Sequence, residues 1–284
     1  MRSWLAVVVV PVLAGCVALT TDPRALIYGP DGIAVRTLPC PAAAAAARAW
    51  APATPVATAI DPSAIRIATW NIHKEDDAGW EADLTRFADA SDILLLQEVT
   101  LNEALRDIVS GARMRWVMAS SFIYYDTDIG VLTATRAVPV AHCTLRAVEP
   151  LIQLPKSSVI TWLPVKGSVK TLAVANIHSI NFSLSLGAYE AQLAAVGDAL
   201  ADHEGPIILA GDLNTWTEAR LAALHKVAAR LRLAEIPFAQ GRSRFFGKEV
   251  DHILVRGLAV TSAAAIAVKS SDHNPATAVL RLAP

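Results

Sequence analysis

Eight residues of three chemical kinds recur where short apolar runs stop. "TWN" ends at Asn71, "LLLQE" at Glu98 and "VANIH" at His178. "LAGDLN" carries Asp212 and Asn214, "EVDHI" carries Asp251, and "SSDHNP" carries Asp272 and His273. Singly, each has a plain explanation: an Asp beside Gly forms turns, a Glu after an apolar strand is a solvated edge, and a lone His is a hydrogen-bonded structural residue. Together they define a chemistry. Four carboxylates in one place repel unless a cation lies among them. Oxygen-only ligands favour a hard ion, Mg2+ or Mn2+. Two histidines supply proton transfer near neutral pH. Asn71 and Asn214 can donate to a phosphate oxygen or orient a ligand. A metal to neutralise charge, a base for water and donors for the transition state are what phosphate-ester hydrolysis requires.

Strand ends are where α/β proteins place their ligands. "AIRIATWNI", "DILLLQEV", "DIGVLTATRAVPV", "PIILAGD", "EVDHILVRG" and "ATAVLRLA" read as strands. "SVITWLPV" and "KTLAVANIH", separated by "KGSV", read as a hairpin. "GWEADLTRFADA", "GAYEAQLAAVGDALADHEG" and "TEARLAALHKVAARLRLA" read as helices, the last with Leu221, Leu224, Val227 and Leu231 on one face. Interleaved strands and helices with hairpins predict an α/β or α+β domain of about 220 residues with mixed sheets. Asp212 and Asn214, at i and i+2, point the same way if the chain stays extended. Asp272 and His273 are adjacent and diverge. Asp251 is placed to orient a neighbouring histidine.

"TWNI", "LLLQEV", "NIH", "GDLN", "VDHILV" and "SDHNP", in that order, resemble the endonuclease/exonuclease/phosphatase superfamily, related to DNase I and the neutral sphingomyelinases, over Ile65 to Leu282. "EPLIQLPKSSVITWLPV" and "NIHSINFSL…YEAQL" are similar to its YafD-like bacterial branch. The resemblance implies a four-layer α/β/β/α sandwich with two mixed β-sheets. It also implies roles: Glu98 as the main carboxylate for Mg2+ or Mn2+, with Asn71 and Asp272 beside the metal; Asp212 to activate or orient the attacking water; and Asn214 to hold that water or the phosphate. His273, polarised by Asp251, would contact the scissile phosphate, and His178 would assist the leaving group. Lys156 is a candidate phosphate-binding cation, or a solvated loop lysine.

Lys and Arg number 25 against 26 Asp and Glu, so the net charge is −1 and nothing marks a chain built to grip nucleic-acid phosphates. There is no G-x-S-x-G elbow for a serine hydrolase and no H-E-x-x-H for zinc. "MRSWLAVVVVPVLAGC" has a basic n-region, a short apolar stretch and small residues before Cys16, resembling a bacterial lipoprotein signal with Cys16 lipidated. The plainer reading is an ordinary signal peptide or a short uncleaved anchor; the lipoprotein reading predicts a chain in the cell envelope, tethered to a membrane without spanning it and facing the periplasm or exterior. Residues 1–16 are then signal, 17–62 a Pro/Ala-rich, semi-rigid tether with room for one short helix at the alanine run, and 63–284 the domain, expected as a monomer. Cys40 and Cys143 could pair in an oxidising compartment or sit as two small buried hydrophobes. The expected activity is a phosphodiesterase on nucleic acid, phospholipid or a small molecule. The other reading is a non-catalytic binding lipoprotein on the same scaffold.

Overall fold

The computed structural model describes residues 17–19, 23–29, 32–51, 58–183 and 185–283. Cys16 lies outside the described residues. In chain order the elements begin with β1 (Val17–Ala18), β2 (Arg24–Gly29), β3 (Gly32–Arg36) and α1 (Cys40–Arg48). Next come β4 (Ile65–Asn71), α2 (Trp80–Ala90), β5 (Ile93–Thr100), α3 (Glu103–Gly111), β6 (Arg115–Tyr124) and β7 (Thr127–Thr135). The second half holds β8 (Ala141–Val148), β9 (Pro155–Leu163), β10 (Leu172–His178), α4 (Gly187–Leu200), β11 (Ile207–Asp212) and α5 (Glu218–Leu231). It ends with β12 (Ala234–Glu235), β13 (Arg244–Phe245), β14 (Lys248–Glu249), β15 (Asp251–Arg256), β16 (Leu258–Ala265) and β17 (Ala276–Leu282).

Two sheets result. One runs β16-β17-β4-β5-β7-β6-β2-β3, with β1 added to β6; the other runs β12-β15-β11-β10-β9-β8. β4 pairs parallel with β5 and β10 with β11, while the neighbouring pairs are antiparallel, so both sheets are mixed. The hairpin expected around "KGSV" joins β9 to β10.

Strand alternation decides the layering. Ile65, Ile67, Ile93 and Leu95 of the first sheet meet Leu172, Val174, Ile208, Ala210 and Ile253 of the second in one apolar layer. The opposite faces carry their own cores. Trp70, Leu94 and Leu96 pack under α2 and α3. Ala173, Ala175, Ile177 and Leu209 pack under α1, α4 and α5. The order is helices, sheet, sheet, helices, the expected four-layer sandwich. On α5 the buried face is Arg220, Ala223, Leu224, Val227, Ala228 and Leu231, and Leu221 is only partly covered.

The stretch read as a tether is folded over residues 24–48. β2 adds to the edge of the first sheet through β6, and β3 pairs with β2. α1 buries Cys40, Ala43, Ala44 and Ala47 against the second sheet, and Cys40 is disulfide-bonded to Cys143 on β8. The short helix expected at the alanine run is therefore present, and its packing on the sheet goes beyond that expectation: a helix lying close on a sheet needs only methyl groups to fill the gap.

Candidate active site

Continuing each strand's inner-facing register past the apolar layer leads straight to the polar residues. After Ile65 and Ile67 come Thr69 and Asn71. After Leu172 and Val174 come Asn176 and His178, and after Ile208 and Ala210 comes Asp212. β15 enters with Asp251, antiparallel to β11. In register, His178 lies opposite Asp212, and Asp212 lies opposite Asp251. The intersheet core therefore turns polar at one edge. A buried amide pair stitches the sheets there: Gln97 Nε2 donates to Asn176 Oδ1 at 2.7 Å, and Asn176 Nδ2 donates to Leu132 O at 2.9 Å.

Asp212, 2% exposed, is the hub. Its Oδ2 accepts from Asn71 Nδ2 at 3.0 Å across the sheets, and its Oδ1 accepts from Asn214 N at 3.1 Å. His178 Nε2 lies 3.5 Å from Asp212 Oδ2 and His273 Nε2 lies 3.9 Å from it. His273 Nδ1 is 2.8 Å from Asp251 Oδ2. Gly211 makes this convergence sterically feasible. Its φ is +137°, and a Cβ there would meet Ile177 O at 2.0 Å, so only glycine lets β11 approach β10 this closely.

Glu98 reaches the site by breaking its strand. The β5–β7 register shifts between Leu96 and Val99, and Glu98 takes φ +54°. Such a bulge re-aims a side chain that strict alternation would turn toward the helices. Its Oε1 lies 3.5 Å from His178 Nε2 and 3.6 Å from Lys156 Nζ, and Oε2 accepts from Lys74 Nζ. Lys156 is on β9, with Nζ 3.0 Å from His178 Nε2, so it belongs to the cleft and not to a surface loop. Lys74 escaped the sequence reading. It sits in "HKE", where His73, Lys74 and Glu75 take φ of 52°, 58° and 60°, a run of left-handed residues that no composition rule signals. The histidine and charges directly after "TWNI" were the available clue.

One expectation changes. Asn214 does not continue an extended chain beside Asp212. It takes φ +47°, and its Nδ2 donates to Ser179 O at 3.0 Å, so the turn folds back onto β10. Asp272 is on the rim, its side chain 62% exposed, with Oδ1 4.0 Å from His73 Nδ1. His273 is held from behind by Trp70 Nε1 donating to its carbonyl and by Ser271, which donates to Asn71 O and accepts from His273 N. Arg220, also missed, donates to the Ile180, Asn181 and Asn214 carbonyls and so locks together the loops after β10 and β11.

Electrostatics divide the two histidines. Burial, with Lys156 adjacent, pushes His178 down to about 4, so it is neutral at pH 7. Burial also opposes a charge on His273, but Asp251 and Asp212 outweigh it and push His273 up to about 10, so it is an imidazolium. Burial disfavours the Glu98 carboxylate as well; His178 when protonated, Lys156 and Lys74 overcome this and hold it below the usual range.

The donor set suits a hard cation. Asn71, Glu98, Asp212 and Asp251 offer oxygens, and Asp251 Oδ1 is buried with no hydrogen-bond partner. Asp212, Asp251 and His273 bring ligand atoms within 4.8 Å of one another. Glu98, Lys74, Lys156, His178 and Asp272 open into a cleft of about 310 Å3.

The chain matches the endonuclease/exonuclease/phosphatase family over residues 68–273. A UPF0294 protein of Klebsiella pneumoniae (strain 342) is 36% identical over 212 residues, covering 74% of this chain and 80% of that protein. The human nocturnin catalytic domain with bound sulfate superposes with a TM-score of 0.61 at 18% identity, covering 79% of this chain and 96% of its own. A Bacteroides thetaiotaomicron mannosyl-6-phosphatase superposes at 0.60 and 16% identity, covering 76% and 99%. The matched residues run from β4 to His273 and so contain every strand end that builds the site; the chain belongs to the endonuclease/exonuclease/phosphatase family.

Proposed function

We propose that this chain is a metal-dependent phosphoric ester hydrolase, acting as a phosphodiesterase. The observation that carries the reading is the contact chain in which Asp212 joins Asn71, His178 and His273 while His273 is backed by Asp251. Asp212, fixed at both oxygens, takes the proton of the attacking water. His273, kept charged, donates to a non-bridging phosphate oxygen as negative charge builds there. Lys156 and His178 form the opposite wall. Lys156 supplies a cation to the phosphate, and His178 beside it assists the departing oxygen. Water adds its oxygen to phosphorus and gives a proton to Asp212, the ester P–O bond breaks, and the departing oxygen leaves as the alcohol, taking up a proton from water.

Glu98, Asn71 and Asp272 would hold Mg2+ or Mn2+, which supplies charge neutralisation on the phosphate and acidifies water. The Asp212–Asp251–His273 cluster, whose ligand atoms lie within 4.8 Å of one another, is a second metal candidate. A family neighbour with bound sulfate and another that is a mannosyl-6-phosphatase support a site for tetrahedral oxyanions. The full set of polar groups argues against a purely binding role. The Cys40–Cys143 bond supports a setting outside the reducing cytoplasm, in keeping with a lipid-anchored envelope protein.

The test is turnover of bis(p-nitrophenyl) phosphate by the purified chain. Activity that disappears in EDTA and returns with Mg2+ or Mn2+ supports the reading. Undiminished activity in EDTA refutes the metal requirement.

A further inference from the structure

The residues around the cleft mouth do not look like those of an enzyme that meets its substrate in free solution. Tyr124 is 46% exposed, Tyr125 65%, Ile152 47% and Phe182 52%. Ile152 and Phe182 line the cleft itself. Beside it opens a second, larger groove of about 710 Å3, walled mainly by Val17, Phe122, Tyr124, Tyr125, Ile129 and Leu154, together with Lys74, Asp76, Thr100 and Thr127. The two hollows are continuous: Lys74, Phe122, Ile129 and Leu154 border both. A largely apolar groove thus runs out of a strongly charged catalytic cleft, with exposed apolar side chains at its collar. Contiguous exposed apolar surface of this kind marks an interaction site.

The N-terminus indicates what covers it. β1 pairs antiparallel with β6, Val17 opposite Tyr124 and Ala18 opposite Ile123. Val17 is itself part of the groove wall. The residues immediately before it are the apolar leader ending in Cys16. Any membrane attachment made there, by acyl chains on Cys16 or by the leader itself, emerges beside the groove. The net charge of −1 offers no general pull on a polyanion, which favours lipid over nucleic acid here.

We propose that the Tyr124–Tyr125–Ile152–Phe182 collar sits on the membrane leaflet that anchors the chain, and that the cleft takes the phosphate ester of a lipid whose acyl part lies in the adjoining groove. The second half of this rests on the hydrolase reading above. The reaction is the same hydrolysis, with the ester oxygen belonging to a lipid.

Two measurements separate the claims. The full chain, leader included, is reconstituted in phosphatidylethanolamine/phosphatidylglycerol vesicles. Tyr125→Trp places a reporter in the collar. Val169→Trp places one in the loop between β9 and β10, at the end of the second sheet opposite His178. Brominated phospholipid should quench the added emission at position 125 more strongly than at position 169. Equal quenching, or more at 169, overturns the orientation whether or not any ester is hydrolysed. Turnover with Mn2+ is then compared on vesicle phospholipid, bis(p-nitrophenyl) phosphate and single-stranded DNA. Tyr124→Ser/Tyr125→Ser should lower the lipid-to-soluble ratio about tenfold or more, since burying one large apolar side chain is already worth about that much. An unchanged ratio, or DNA preferred over lipid, overturns the lipid assignment and leaves the hydrolase reading standing. Failure on all three esters overturns the hydrolase reading, and the quenching result still decides the orientation.

Discussion

Breaking the Cys40–Cys143 link should destabilise the whole domain even though the bond lies outside the cleft. The bridged residues are 103 apart in sequence. Closing a loop of that size in the unfolded chain corresponds to about 4.7 kcal/mol in the chain-entropy treatment, and measured losses run about 2–5 kcal/mol. With an unfolding entropy of about 2.1 cal/mol/K per residue, a loss of ~4 kcal/mol lowers Tm by about 7 °C for a chain of this length. α1 buries four residues against the second sheet, so part of the loss is packing that loosens when the tie is cut. The assay compares urea unfolding of the parent with Cys40→Ser/Cys143→Ser, each with and without dithiothreitol. The parent in reductant should shift to the midpoint of the double variant, and reductant should leave the variant unmoved. An unchanged midpoint in both would mean that residues 24–48 are a tether after all. Turnover per folded molecule should be the same in both forms.

Three further outcomes follow from the geometry. Asp251→Asn removes the charge that keeps His273 an imidazolium and should cost about 10²-fold or more in kcat, as losing a transition-state donor does, with circular dichroism unchanged. Gly211→Ala drives a methyl into Ile177 O at a left-handed backbone and should destabilise by about 3 kcal/mol or more, seen as a lower urea midpoint. Burial, together with the nearby Arg256 charge, holds His203 down at about 4 despite its hydrogen bond to Pro206 O. The unfolded chain therefore binds a proton that the folded one refuses. This contribution is complete above about pH 6.5 and declines as pH falls toward 4, by about 2 kcal/mol at pH 5. His203→Gln should lose less stability than the parent between pH 7 and pH 5.

The strand ends were legible because one rule governs them. Period-2 alternation that buries Ile67, Val174 and Ala210 also fixes which way Asn71, His178 and Asp212 face. The same parity, carried one step further, would have put Gln97 and Asn176 between the sheets. Glu98 was recognisable by motif, but its route was not, since a bulge and a left-handed φ leave no mark in the order of residues. Lys74 lay hidden for the same reason. Residues 24–48 pack more closely than a tether reading implies. The alanine run forms the short helix that reading allowed, while "RALIYG" and "GIAVR" form a strand pair beside β6. Tertiary partners, together with one disulfide, decided that segment.

The central claim is that residues from four strand ends and one loop operate as a single hydrolytic unit. A double-mutant comparison on bis(p-nitrophenyl) phosphate with Mn2+ tests it most directly. Asp212→Asn and His273→Gln should each lower kcat/KM by about 10²-fold or more, and the double variant should be little worse than the poorer single, because groups acting on one transition state are not additive. Two singles within a few-fold of the parent, or losses that simply multiply, would contradict it.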